Sequence, residues 1–230
     1  MLAEPRHLVS QLLRESRAGR EFGTVPDELR QHWPAAGPRF SLPEPAEDGF
    51  EIADVLARRR AARQFAMTAI PLDAVSAILA SAMRADAADW PAESAAGIEL
   101  TCFLLAWRVD TLPAAIYRYA TAGHELITHA RIPAAPAAQL LRQPEFGQAA
   151  AFIEVVGNLA AAVESQGSHG YRQLLVRAGA AGHRAWLAAV AAGLSGCVFE
   201  GLLPLRFKQA VGTDGFTAVR LVATAIGESS

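Results

Sequence analysis

Cysteine is scarce in this chain, with 2 among 230 residues, and both Cys102 and Cys197 lie inside apolar runs rather than in a CxxC pair. That placement argues against a disulfide framework and against a thiolate zinc site, and leaves buried free thiols as the expectation. An excess of either charge is lacking too: 21 Lys and Arg face 23 Asp and Glu. With no second basic cluster and no aromatic-basic alternation, nucleic acid is not an expected partner. Long apolar runs are missing as well. Arg177, His183 and Arg184 interrupt the longest alanine-rich region, so nothing reaches the roughly 18 to 20 uncharged residues of a spanning helix. The first twenty residues carry Glu4, Arg6 and Glu15 in place of a continuous apolar segment, and a cytoplasmic protein without a membrane partner is expected.

What is present is material for a core, since 52% of the residues are hydrophobic and only 19% charged. Residues 1–48 read as an extension punctuated by Pro26, Pro34, Pro38, Pro43 and Pro45, with one short helix-like segment near Leu8 to Arg17, wrapping the domain that residues 49–230 form. From Ile52, Val55 and Leu56 a helical spacing leads into an arginine run, and PLDAVSAILASAM predicts a helix with Pro71 near its first turn. WPAESAAG reads as a small-residue loop. IELTCFLLAWRV, AAIYRY, ELITH and AFIEVVGNL read as strands. The clearest helix is GYRQLLVRAGAAGHRAWLAAVAAG, with Leu175, Gly179, Gly182, Trp186 and Val190 on its expected packing face and Gly193 as its stop. SGCVFEGL is then extended, LPLRFKQAVG a short helix, and TAVRLVATAIG a closing strand. Helices and strands alternate irregularly, which predicts an α+β or mixed α/β fold around one sheet.

Four arginines occupy six positions at Arg58, Arg59, Arg60 and Arg63. On a helix Arg59 and Arg63 lie about 40° apart with Arg60 in the same broad sector, so one anion could touch all three. The other reading is a solvated helix end whose cations complement the dipole.

RRAARQF resembles the RRSxRxF segment that opens the core of the FMN-dependent nitroreductase family, and PLDAVSAIL is similar to that family's PLxxLxxIL helix. WPAESAAGIEL, AAIYRYATAGHELI and GYRQLLVRAGAAGHRAWLAAVAAGLSGCVFEG resemble, in order, segments of its SagB-type branch, the azoline (thiazole/oxazole) dehydrogenases of ribosomal peptide natural-product biosynthesis. The likeness runs from about Arg39 to Gly227. It implies a three-layer α/β/α fold with a mixed, mainly antiparallel sheet, a homodimer with FMN at the subunit interface, and a peptide-derived or small heterocyclic substrate shared with other biosynthetic enzymes. It also implies that Arg59 and Arg60 hold the FMN phosphate and ribityl chain and that Arg63 approaches the pyrimidine edge of the ring. Ser94 falls on a flavin-contacting loop position, and Glu200 and Gly201 on the turn whose N–H faces flavin N5.

The departures from that pattern are specific. Ala61 replaces the serine of RRSxRxF, the loop at 91–97 has lost a tyrosine and a proline, Ser165 and Gln166 stand where the branch has a Lys-Tyr pair proposed as base, and Glu228 stands where many members have an arginine. His169 is the candidate replacement base, with a histidine's near-neutral pKa suiting the task, while Tyr171 is expected in the core and His183 lies further along the same helix. His124 and His129 fall in a predicted hairpin at a spacing that favours no metal geometry, and no metal site is expected. Trp90 and Trp107 read as core. Two functions follow from this: a flavin-dependent oxidoreductase, or a catalytically degenerate relative serving as a dimeric scaffold or peptide-binding partner.

Overall fold

The computed structural model describes residues 25–33, 37–45, 51–132 and 137–230; the expected segment near Leu8 to Arg17 lies outside them. Its centre is a seven-stranded sheet in the order β1-β4-β3-β2-β5-β7-β6. The strands are β1 (Arg39–Ser41), β2 (Leu100–Ala106), β3 (Ala115–Ala120), β4 (Glu125–Ala130), β5 (Ala151–Gly157), β6 (Ser195–Phe199) and β7 (Val219–Gly227). Every paired strand is antiparallel to its neighbours. The parallel pairings are isolated bridges, Ala61 with Gly196 and Ile70 with Val109.

The apolar runs are explained by burial on both faces, as in any central strand covered twice. Along β2, Cys102, Leu104 and Ala106 enter one core while Phe103 and Leu105 enter another. The first core is closed by helices α2 (Leu72–Asp89) and α6 (Ser168–Ala191). The second collects Phe103, Phe146, Phe152 and Phe207 under the short helices α4 (Ala137–Leu140) and α7 (Pro204–Val211). Helices thus cover both faces of the sheet in three layers. The remaining described α-helices are α1 (Ile52–Arg58), α3 (Pro91–Ala96) and α5 (Leu159–Gln166). No described helix is long and apolar enough to cross a membrane.

Stretches before residue 49 add to this body: β1 pairs with β4, and Val25 and Leu42 are buried in the first core. His124, at the β3–β4 turn with φ 46°, is held by the Ser76 hydroxyl at 2.7 Å and the Tyr119 hydroxyl at 2.8 Å. His129 reaches the Val211 carbonyl at 2.9 Å. Trp107 packs edge-on against Phe152 at 5.0 Å. Both cysteines are free and buried.

Three local expectations need correction. WPAESAAG is mostly helical, as α3, because Pro91 at the first turn and Gly97 in the left-handed region bracket a run of helix formers. On α6 the buried residues include Leu174, Arg177, Ala178, Ala181, Gly182, Ala185 and Val190, so Gly182 and Val190 of the expected face are buried and Trp186 is half-buried, while Leu175 and Gly179 face outward. The departure in the first half of the helix follows from Arg177, two of whose guanidinium nitrogens pair with Asp86 of α2, at 3.1 and 2.8 Å, while the third reaches the Ile98 carbonyl at 2.8 Å. Tyr171 is 47% exposed, on that same outward face.

Candidate functional site

The arginine run is not helical past its first member. α1 stops at Arg58, Arg59 caps it with its N–H on the Val55 carbonyl, and the chain then runs extended beside edge strand β6. Ala61 bridges Gly196, and the Ala62 N–H donates to the Gly196 carbonyl at 3.2 Å. An open strand edge offers the backbone partners that further helix would have to find internally, and it wins.

This geometry separates the arginines. Arg58, though exposed, donates to the Val190 carbonyl at 3.2 Å. Arg59 lies 4.4 Å over the ring of Trp186 from α6, a cation–π platform that holds the guanidinium in one place. Arg60 donates back to the Ala57 and Arg59 carbonyls, both at 2.9 Å, closing its own helix end. Arg63 is exposed on an open cleft of about 550 Å³ that it shares with Ala61, Gln64 and Glu145. Burial raises the pKa of the Cys197 thiol, and the charges of Arg63 and Arg59 pull it the other way, so both cations flank that residue of β6. Among the described residues none of the four arginines forms an ion pair.

At the end of β6 the chain turns through Glu200 and Gly201. The Glu200 carboxylate pairs with Arg142 at 2.6 Å, and its carbonyl accepts from Arg220 at 2.6 Å. Gly201 has φ 96°, and a Cβ there would sit 2.5 Å from Arg220 Nη2 and 2.7 Å from Glu154 Oε2. Only glycine fits such a position. Gly201→Ala is expected to cost about 1–3 kcal/mol from backbone strain, before the clash is counted, read as a lower midpoint in thermal unfolding. A cavity of about 550 Å³ opens beside the turn, walled by Leu205 and Lys208 of α7 and by Arg220 and Leu221 of β7.

Ser94 and His169 are elsewhere. Ser94 of α3 lines a different cavity, of about 710 Å³, together with Arg30, Thr101 and Arg118. Its neighbour Glu93 accepts from Gln173 of α6. His169 is exposed in the first turn of α6. Trp186 is 17 residues further along that helix, about 25 Å at 1.5 Å per residue. One chain therefore gathers Arg59, Arg63, Glu200 and Gly201 along β6, and holds Ser94 and His169 at the far end of α6. Ser165 and Gln166 close α5, and the buried Gln166 amide has no hydrogen-bond partner on either atom. Glu228 accepts from the Thr68 hydroxyl at 2.8 Å.

Sequence reading missed the roles of Trp186, Glu154 and Arg220. A lone acidic residue inside the apolar run AFIEVVG was the available signal for Glu154, since an unpaired charge is seldom kept there.

Residues 56–227 match the model of the nitroreductase family. No curated protein matches the sequence. Among solved structures, the chain is similar to a candidate nitroreductase of Anabaena variabilis at 22% identity and TM-score 0.70, covering 84% of this chain but 42% of that one. The chain thus spans less than half the length of that relative. It is also similar to a chain of the McbBCD microcin synthetase complex of E. coli with truncated pro-MccB17 bound, at 16% identity and TM-score 0.60 over 99% of this chain and 95% of that one. A candidate nitroreductase of Exiguobacterium sibiricum in complex with FMN shares 14% identity at TM-score 0.52, over 80% of this chain and 90% of that one.

Proposed function

We propose, because this chain belongs to the nitroreductase family, that it is an FMN-dependent oxidoreductase of the SagB type, oxidising or reducing a peptide-derived heterocycle in the cytoplasm as one component of a biosynthetic assembly. The observation that carries this reading is the pair Arg59 and Arg63: two guanidiniums on one strand edge, neither in an ion pair among the described residues, one stacked on an indole and one on an open cleft. A phosphate and an electron-rich ring edge are the complements of such a pair. The donor set fits FMN. Arg59 binds its phosphate end, with Arg60 available to the same end once it leaves its own helix carbonyls. Arg63 stabilises negative charge at the pyrimidine edge, and the Glu200–Gly201 turn orients the reacting face. When bound, FMN supplies the two-electron transfer. The cleft beside Leu205 and Lys208 receives the substrate ring.

The homodimer completes the site. The outward stripe of α6 presents Leu175 and Val176, 42% and 62% exposed, beside Gly179, where an added Cβ would meet nothing. Two α6 helices crossing antiparallel about a two-fold axis near Val176 to Gly179 bring position 169 of one copy opposite Trp186 of the other. His169 and Ser94 of the second copy then reach the flavin end of the first, with His169 as the base. Val176→Glu is expected to convert a dimer into a monomer in light scattering and to abolish FMN binding with it. A variant that is monomeric and still binds FMN would refute the shared site.

One observation favours the degenerate-scaffold reading: a buried, unpartnered glutamine amide stands where a base is expected. Turnover of a supplied azoline or nitroaromatic by the FMN-loaded protein decides between the two. The enzyme reading expects turnover that Arg59→Ala removes, and the scaffold reading expects bound peptide without turnover.

A further inference from the structure

Glu154 is wholly buried on β5, on the sheet face that carries Phe152 and Val156. Its Oε1 accepts from Arg220 Nε at 2.7 Å, while its Oε2 is buried without a hydrogen-bond partner. Arg220, only 12% exposed, uses Nη2 on the Glu200 carbonyl at 2.6 Å, and its guanidinium lies 5.5 Å from the Phe207 ring. The Cα of Gly201 rests on this pair so closely that no Cβ can be placed there. One ion pair therefore forms the floor of the turn and holds one of its carbonyls.

We propose that Glu154 is a positioning residue that sets the Glu200–Gly201 turn through Arg220, and that its gain and loss of a proton switches the turn between a fixed and a loosened state. This rests on the reading of the turn as a flavin contact. With the carboxylate charged, Arg220 is anchored and the Glu200 carbonyl is fixed, so the Gly201 N–H keeps one direction. With a proton on Glu154 the anchor is lost and the turn loosens: the loosened turn releases Arg220 while Glu154 stays buried, so it binds the proton more tightly than the fixed turn and gains population as pH falls.

The position of the switch follows from its surroundings. Burial drives the Glu154 pKa up to about 7, against the opposing pull of Arg220. The charged and titratable groups that face it are few. Arg220 comes from β7; Cys102 of β2 lies on the opposite face of the sheet, its thiol held protonated by burial and, through the sheet, by the charge of Glu154. Glu200 is on the turn, already taken by Arg142, and Lys208 of α7 shares the cavity that Arg220 and Glu200 line.

The test uses the full chain and Glu154→Gln, which keeps the shape of the protonated acid. Amide hydrogen exchange across residues 200–202 is followed from pH 5.5 to 8.5 without flavin, corrected for the intrinsic rate. FMN affinity is titrated over the same range. Wild type is expected to gain about tenfold in amide protection and in FMN affinity through a step near pH 7, while Glu154→Gln stays at the unprotected, weaker level throughout. FMN's phosphate takes its own second proton near pH 6 in both proteins, so the difference between them is the quantity read. A wild-type exchange profile without the step, or an identical step in Glu154→Gln, overturns the proposal. An exchange step with no FMN binding at any pH would instead leave the switch standing and sink the flavin reading. Glu154→Asp with Arg220 retained is expected to restore part of the step, which a loss of folding would not.

Discussion

Asp86→Ala is expected to destabilise the fold by about 3–5 kcal/mol, and to lower the midpoint of thermal unfolding by roughly 6–20 °C for a domain of this size. Arg177 and Asp86 are 1% and 3% exposed, so removing the carboxylate leaves a guanidinium with one remaining acceptor, the Ile98 carbonyl, and no countercharge. The pair also joins the two helices that close the larger core, which is why the loss spreads beyond one contact. Desolvation makes the converse substitution informative. Asp86→Leu combined with Arg177→Met replaces both charges by apolar groups, and is expected to recover most of the stability because neither charge is then stranded. A single variant within about 2 °C of wild type, or a double variant no better than the single, would contradict this account of the α2–α6 contact.

The second large effect concerns the arginines at the edge of β6. A charge-assisted hydrogen bond to a phosphate or a ring carbonyl contributes about 1.5–3 kcal/mol, so Arg59→Ala and Arg63→Ala are each expected to weaken FMN binding about 10- to 150-fold. The two guanidiniums address different ends of one ligand, and their losses are expected to be close to additive. Arg60→Ala is expected to cost far less, because that side chain already bonds the Ala57 and Arg59 carbonyls. Arg59→Lys separates charge from shape: an ammonium keeps the charge but loses the planar stack on Trp186 and the bidentate fork, so an intermediate affinity is expected. Equal losses at all three positions, measured by flavin fluorescence quenching, would show that the run acts as diffuse charge and not as a built site.

How much of this could be read from the residues depends on what each signal measures. The strands β2 to β5 and the helix α2 are visible because alternation, β-branching and a proline at the helix start act within one segment. The same local logic misjudges the arginine run, where a helix is favoured until β6 offers Gly196 to Ala61 from 135 residues away in the chain. It places Gly182 and Val190 of α6 correctly in the buried face but misplaces Leu175 and Gly179, since an arginine is scored as exposed unless its partner is known, and Asp86 lies on a different helix. Glu154 and Arg220 meet only through the β5–β7 ladder, in which Glu154 stands opposite Ala223. Ser94 and His169 match family positions in the sequence, yet a single chain holds them at the opposite end of α6 from Arg59.

The most direct measurement is the absorption spectrum of the full chain after incubation with FMN and removal of free flavin, taken beside the Arg59→Ala/Arg63→Ala double variant. The wild-type protein is predicted to stay yellow with one flavin per chain and the double variant to emerge colourless while still folded by circular dichroism. A colourless wild type, or a double variant that retains the same flavin, would contradict the claim that these two side chains grip the cofactor.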